Sequence, residues 1–192
     1  MRSPIHPTRF RQDQGVLDLA CQMDTRRFHA GVGSLDLLRA LRDSRQRQRP
    51  LALNLHWPAR DPEGDYLHSV TQEIQLIGCQ LGARQPVDHF HLRGTPPALA
   101  QLQPLMAHLH GRFNFLDRDR GDYCIDLDPW HIDWATMGSL RDQGFNHASI
   151  GVPDTGSDGS SSQARYQDPA PIESLVDAAR TFGFRSVSID LG

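Results

Sequence analysis

Residues 51–57 read LALNLHW. Successive side chains in a strand point to opposite faces, so Leu51, Leu53 and Leu55 share one side while Asn54 and His56 share the other. The two-sided pattern returns along the chain. In 87–92, Phe90 and Leu92 oppose His89 and His91. In 123–128, Tyr123, Ile125 and Leu127 oppose Cys124, Asp126 and Asp128. In 186–190, Val187 and Ile189 oppose Ser186, Ser188 and Asp190, and a weaker version stands in 148–152, with Ala148, Ile150 and Val152 against Ser149 and Gly151. A parallel sheet covered on both faces reads as continuous apolar runs. These segments instead pair an apolar face with a polar one that grows more ionisable toward each strand's C-terminal end.

Helical patterns separate the strands, at about 66–81, 99–110, 132–143 and 171–182. Each is followed by a glycine (Gly82, Gly111, Gly144, Gly183) where a left-handed C-cap is expected. Strict strand–helix alternation predicts βαβ crossovers and parallel pairing. The fold expected is α/β: a partial (β/α) barrel of about five parallel strands, open, with a short N-terminal arm. Helices lie outside, and a pocket opens at the C-terminal mouth. Residues 1–48 form the arm and a helix capped by Ser34; residues 49–192 form the half-barrel. TGSDGSSSQ (155–163) reads as a loop.

Composition removes several classes of function. All 20 basic residues are arginine, which excludes lysine Schiff-base and P-loop chemistry, and the net charge of −3 gives no footprint for nucleic acid. No apolar run approaches the roughly 20 residues that span a bilayer, and the N-terminus lacks a secretory h-region. A cytoplasmic protein is expected. The three cysteines, Cys21, Cys79 and Cys124, are too few and too scattered for a disulfide framework.

The polar face carries the candidate chemistry. His56, His89 and His91, with the aspartates, are the weak metal candidates, since His-x-His on one strand face can supply two ligands to a divalent ion. His108 and His110 lie in a helix, where positions two apart do not face each other.

Placed on these strands, the sequence resembles the oxygen-independent coproporphyrinogen III oxidases, radical S-adenosylmethionine (SAM) enzymes of haem biosynthesis, and more distantly the related haem chaperones. The resemblance runs from about Phe28 onward. It rests on RPLALNLHWP (49–58), DYLHSVTQEIQLIG (65–78), VDHFHLRGTP (87–96), DYCIDLDP (122–129), LRDQGFNHASIGV (140–152), QARYQ (163–167) and AARTFGFRSVSIDL (178–191), in family order. It implies a SAM site built from Gly94 and Thr95 of a glycine-rich turn, Asp126 in place of a ribose-binding glutamate, and Arg165 and Asp190 near the nucleoside.

The family also holds a 4Fe–4S cluster on a CxxxCxxC loop after the first strand, where this chain reads His56-Trp57-Pro58-Ala59-Arg60-Asp61. Further departures are Arg93 in the glycine turn, Trp130 and His147 where arginines are expected, and Pro153 for a glutamine. The chain stops just inside the family's DLIYGLP segment. The expectation is therefore a truncated, degenerate relative without radical catalysis. It would take no cofactor, with SAM a weak candidate, and would keep a scaffold for a nucleoside, a porphyrin or a protein partner. His56, His89 or His91 would then be possible axial ligands to haem. Two other readings stand beside it: the family's oxidative decarboxylation with a cluster supplied otherwise, and a divalent-metal-binding barrel module. Open sheet edges predict self-association or a protein partner.

Overall fold

The computed structural model describes residues 33–59, 65–81, 85–152 and 169–191. In chain order these form α1 (Ser34–Gln46), β1 (Leu51–Trp57), α2 (Tyr66–Leu81), β2 (Pro86–Gly94), α3 (Leu99–Arg112), β3 (Asn114–Phe115), β4 (Asp122–Leu127), α4 (Trp134–Asp142), β5 (His147–Val152), α5 (Ala170–Thr181) and β6 (Ser186–Leu191).

Two compact units divide between Ala40 and Leu41, inside α1. In the first, Asp36 accepts a hydrogen bond from the Gly33 backbone N–H at 3.0 Å, the reciprocal half of a capping box. Gly33, not Ser34, therefore takes the N-cap position, one residue earlier than expected.

In the second unit every strand pair is parallel, and the order is β1-β2-β4-β5-β6. The two-residue β3, which the sequence does not announce, pairs with the start of β2. The result is the open parallel α/β sheet of a partial (β/α) barrel. Val87, Phe90, Leu92, Tyr123, Ile125, Leu127, Ala148 and Ile150 turn one face of the sheet into the core. Against them lie the buried stripes of the helices, Val70 and Ile74 from α2, Leu102, Leu105 and Leu109 from α3, Met137 and Leu140 from α4, and Leu175 and Ala178 from α5. A register shift beside Asp88, between the Leu51–Val87 and Ala52–His89 pairs, explains why Val87 and Phe90 share a face although they lie three positions apart, where a regular strand would put them on opposite faces.

Two of the predicted glycine stops have a full physical account. Gly144 (φ 111°) and Gly183 (φ 73°) follow α4 and α5. The N–H of Phe145 reaches the Leu140 carbonyl at 3.3 Å and that of Gly144 reaches Arg141 at 3.1 Å. Phe184 and Gly183 repeat this on Ala179 and Arg180, at 2.9 and 3.1 Å. Both ends are Schellman motifs, and in each the residue after the glycine is a buried phenylalanine that drives the chain back into the core. Gly111 departs from expectation. It lies inside α3, which ends at Arg112 and passes into extended Phe113. Gly82 and the 155–163 stretch lie outside the described residues.

Candidate functional site

The polar face of the sheet is uncovered among the described residues. Ala52, Asn54 and His56 of β1 are exposed, and His89, His91, Cys124, Asp126, Ser149 and Ser188 are half-buried. The strand register aligns Asn54, His91, Cys124, His147 and Ser186 in one row, and Asp126, Ser149 and Ser188 in another nearer the C-terminal edge.

At that edge three sequence-predicted residues meet. Asp126 Oδ1 lies 2.7 Å from His91 Nε2, and its Oδ2 accepts the Gly94 N–H at 3.0 Å. Burial alone would raise the Asp126 pKa. The hydrogen bonds from His91 and Gly94, with the charges of His91 and Arg93, outweigh it and hold the carboxyl below its ordinary value. An ionised carboxylate only accepts, so His91 Nε2 carries the proton of this bond.

Gly94 adopts φ 87°, and a Cβ there would stand 2.3 Å from the Trp57 carbonyl oxygen and 3.0 Å from His56 Cε1. No other residue fits this turn without displacing β1. The end of β1 is fixed in turn by Tyr66 of α2, whose hydroxyl donates to the His56 carbonyl and whose ring packs edge-on to Trp57 at 5.0 Å.

Thr95, exposed, lines a cavity of about 220 Å³ between the turn after β2 and the turn after β4. Its other walls include Asp128, His131 and Thr136. Asp128 accepts the Trp130 N–H at 3.0 Å and faces His131 at 2.7 Å. Asp190 is exposed on β6 opposite Gly151, two strands away from Asp126 and so roughly 10 Å across the sheet. Arg165 lies outside the described residues. Of the metal candidates, His56 sits by Gly94, His91 is engaged by Asp126, and burial lowers the pKa of His89. No group of three metal-ligating side chains exists among the described residues.

Sequence reasoning missed two networks. Buried Asn146 accepts the Tyr123 N–H at 2.7 Å and donates to the Arg118 and Gly121 carbonyls, both at 2.8 Å. At the N-terminal ends of the strands, His147 bridges Ser186 and Asp122, and Arg185 also binds Asp122, at 2.6 Å. His147 stood out only as a departure from arginine, and Asn146 gave no signal at all.

No family model matches the chain. The oxygen-independent coproporphyrinogen III oxidase of Pseudomonas aeruginosa is 38% identical over 184 residues, covering 85% of this chain and 40% of the relative. That of Escherichia coli is 30% identical, covering 85% and 39%. Among solved structures, the E. coli coproporphyrinogen III oxidase HemN, described as a radical SAM enzyme, superposes with a TM-score of 0.69 at 30% identity, over 83% of this chain and 40% of that one. The chain belongs to the oxygen-independent coproporphyrinogen III oxidase family. It spans about 40% of the length of these relatives.

Family membership corrects the expectation of a protein without a cofactor. The E. coli HemN on which the chain superposes is described as a radical SAM enzyme, a class that binds a 4Fe–4S cluster and SAM. The described residues of this oxidase-family chain fit the two groups unequally. Asp126 offers an ionised acceptor beside a turn that admits only glycine, which suits a nucleoside and its attached chain. The described cysteines do not form a cluster site. Cys79 is exposed on α2 with Sγ 2.7 Å from Arg112 Nη2. Cys124 is half-buried in β4, where burial first and Asp126 second push its thiol up to about 12. Thiolates converging on one point are what a cluster requires, and Cys79 and Cys124 do not supply them.

Proposed function

We propose that this chain is a nucleoside-binding scaffold of the coproporphyrinogen III oxidase family that holds SAM along the C-terminal edge of its sheet and does not run the radical oxidation by itself. The observation that carries the reading is the Asp126 carboxylate, ionised and held at both oxygens beside the Gly94 turn. Each carboxylate oxygen has a second lone pair, so Asp126 can accept a ribose hydroxyl while keeping its present bonds. Gly94 and Thr95 would face the methionine end of SAM, and Asp190 the nucleoside. SAM would supply the adenosyl and methionine groups to be gripped. This stretch of chain orients them and supplies no converging thiolates among its described residues.

Calorimetric titration of the full chain with SAM tests the first half. One-site binding that weakens at least about tenfold in Asp126→Ala supports it, and absence of binding by the wild type overturns it. Anaerobic iron–sulfur reconstitution with SAM and a reductant tests the second half. Formation of 5′-deoxyadenosine by this chain alone would restore the family's oxidative decarboxylation of coproporphyrinogen III as the better reading. We also propose that the outer edges of β1 and β6, the terminal strands of the sheet, pair with a second copy or a partner. A monodisperse monomer in light scattering, with fast amide exchange in both strands, would count against it.

A further inference from the structure

Asp126 is the carboxylate that the proposed function depends on, and a short aspartate on a strand face has rotamer freedom of its own. In this fold that freedom is removed by two partners on the neighbouring strand. His91 and Gly94 both belong to β2, three residues apart, and they take one oxygen each, at 2.7 and 3.0 Å. His91 stands beside Cys124 in the register, so its imidazole reaches along the polar face to the next residue on that side of β4. Its side chain is 23% exposed and that of Asp126 30%, which places the bond partly out of water and strengthens it. The Gly94 turn sits against the Trp57 carbonyl and the His56 ring. A carboxylate rotated away from His91 would therefore also release the N–H that fixes the turn.

We propose that His91 is a positioning residue. Its Nε2–H locks the Asp126 carboxylate in the orientation that holds the Gly94 turn, and nucleoside affinity depends on His91 although its ring need not touch the ligand. The functional part of this inference rests on the SAM-binding reading above; the mechanical part does not.

Two measurements on the full chain keep the parts separate. In SAM titrations, His91→Ala weakens binding about tenfold, and His91→Gln, which can still place an N–H near the carboxylate, recovers most of it. In an Asp126→Ala background the same His91→Ala change costs less than about twofold, because its route to the ligand is already gone. Wild-type affinity in His91→Ala, or full additivity with Asp126→Ala, overturns the proposal. The second measurement is an NMR titration of the Asp126 carboxyl with amide exchange at Gly94, made without ligand. His91→Ala raises the Asp126 pKa and speeds Gly94 exchange. If neither moves, the positioning role falls, whatever SAM does. If both move while the wild type binds no SAM, His91 keeps its positioning role and the SAM-binding reading alone falls.

Discussion

The two faces of this sheet are made by the same strands and serve opposite ends. On the covered face, Phe90 is fully buried and its ring meets Phe115 and Phe145 at centroid distances of 5.8 and 5.9 Å. On the open face, one residue either side of Phe90, His89 and His91 are half-buried and ionisable. A one-residue step along β2 thus passes from stability to chemistry. The lesson is that stability is carried by residues the helices cover, while the open face can be varied at little cost to the fold, except where a polar side chain satisfies buried backbone.

Four measurements can break or sharpen that contrast. The largest effect is expected for Phe90→Ala, which leaves a cavity at the centre of the aromatic cluster and lowers unfolding free energy by about 4 kcal/mol. A urea midpoint close to wild type would show that the covered face is not the stabilising one. Next comes Asn146→Ala, which strips partners from three backbone groups and costs about 3 kcal/mol in the same assay. A loss under about 1 kcal/mol would mean that water replaces the side chain.

The third is a pH dependence. The folded pKa of Asp126 is depressed, so its contribution is present above the unfolded value of about 3.9 and is lost as pH falls through that value and on through the lower folded pKa. For His89 the folded pKa is lowered by burial, so the unfolded chain binds the proton more readily and stability falls as pH drops below about 6.5. Urea midpoints measured from neutral to acid pH should decline less in Asp126→Asn near pH about 4, and less in His89→Gln near pH about 6. Identical profiles for all three proteins would remove both groups from the acid response. The smallest effect is expected for Asn54→Ala, on the open face of β1, within about 0.5 kcal/mol of wild type. A larger loss would reveal a cover on that face.

Much of the fold was legible because its signals are local. Leucines at 51, 53 and 55 alternate with polar residues because a strand has a period of two, and glycines at 144 and 183 end helices because the left-handed turn suits them. Signals that depend on neighbours were not legible. Gly111 resembles a stop but stays helical, since α3 runs on to Arg112 before Phe113 enters the core. Asn146 reads as an ordinary loop residue, and its clamp on residues 118–123 exists only after β4 and β5 pair. The site was half legible. Gly94, Asp126 and His91 could each be named from their motifs, but nothing in the sequence says that one carboxylate joins all three.

The sequence by itself determined the parallel strand–helix alternation, which side of each strand is apolar, and which residue types the open face carries. These follow from periodicities of a few residues, which survive without knowledge of the remaining chain. Only the tertiary structure decided that β2 lies between β1 and β4, that a register shift beside Asp88 resets its faces, and that Asp126 therefore meets His91 and Gly94 across 35 and 32 residues of chain. The physical reason is that a contact between strands is set by pairing register, a property of two segments together, while the faces of a strand belong to each segment alone.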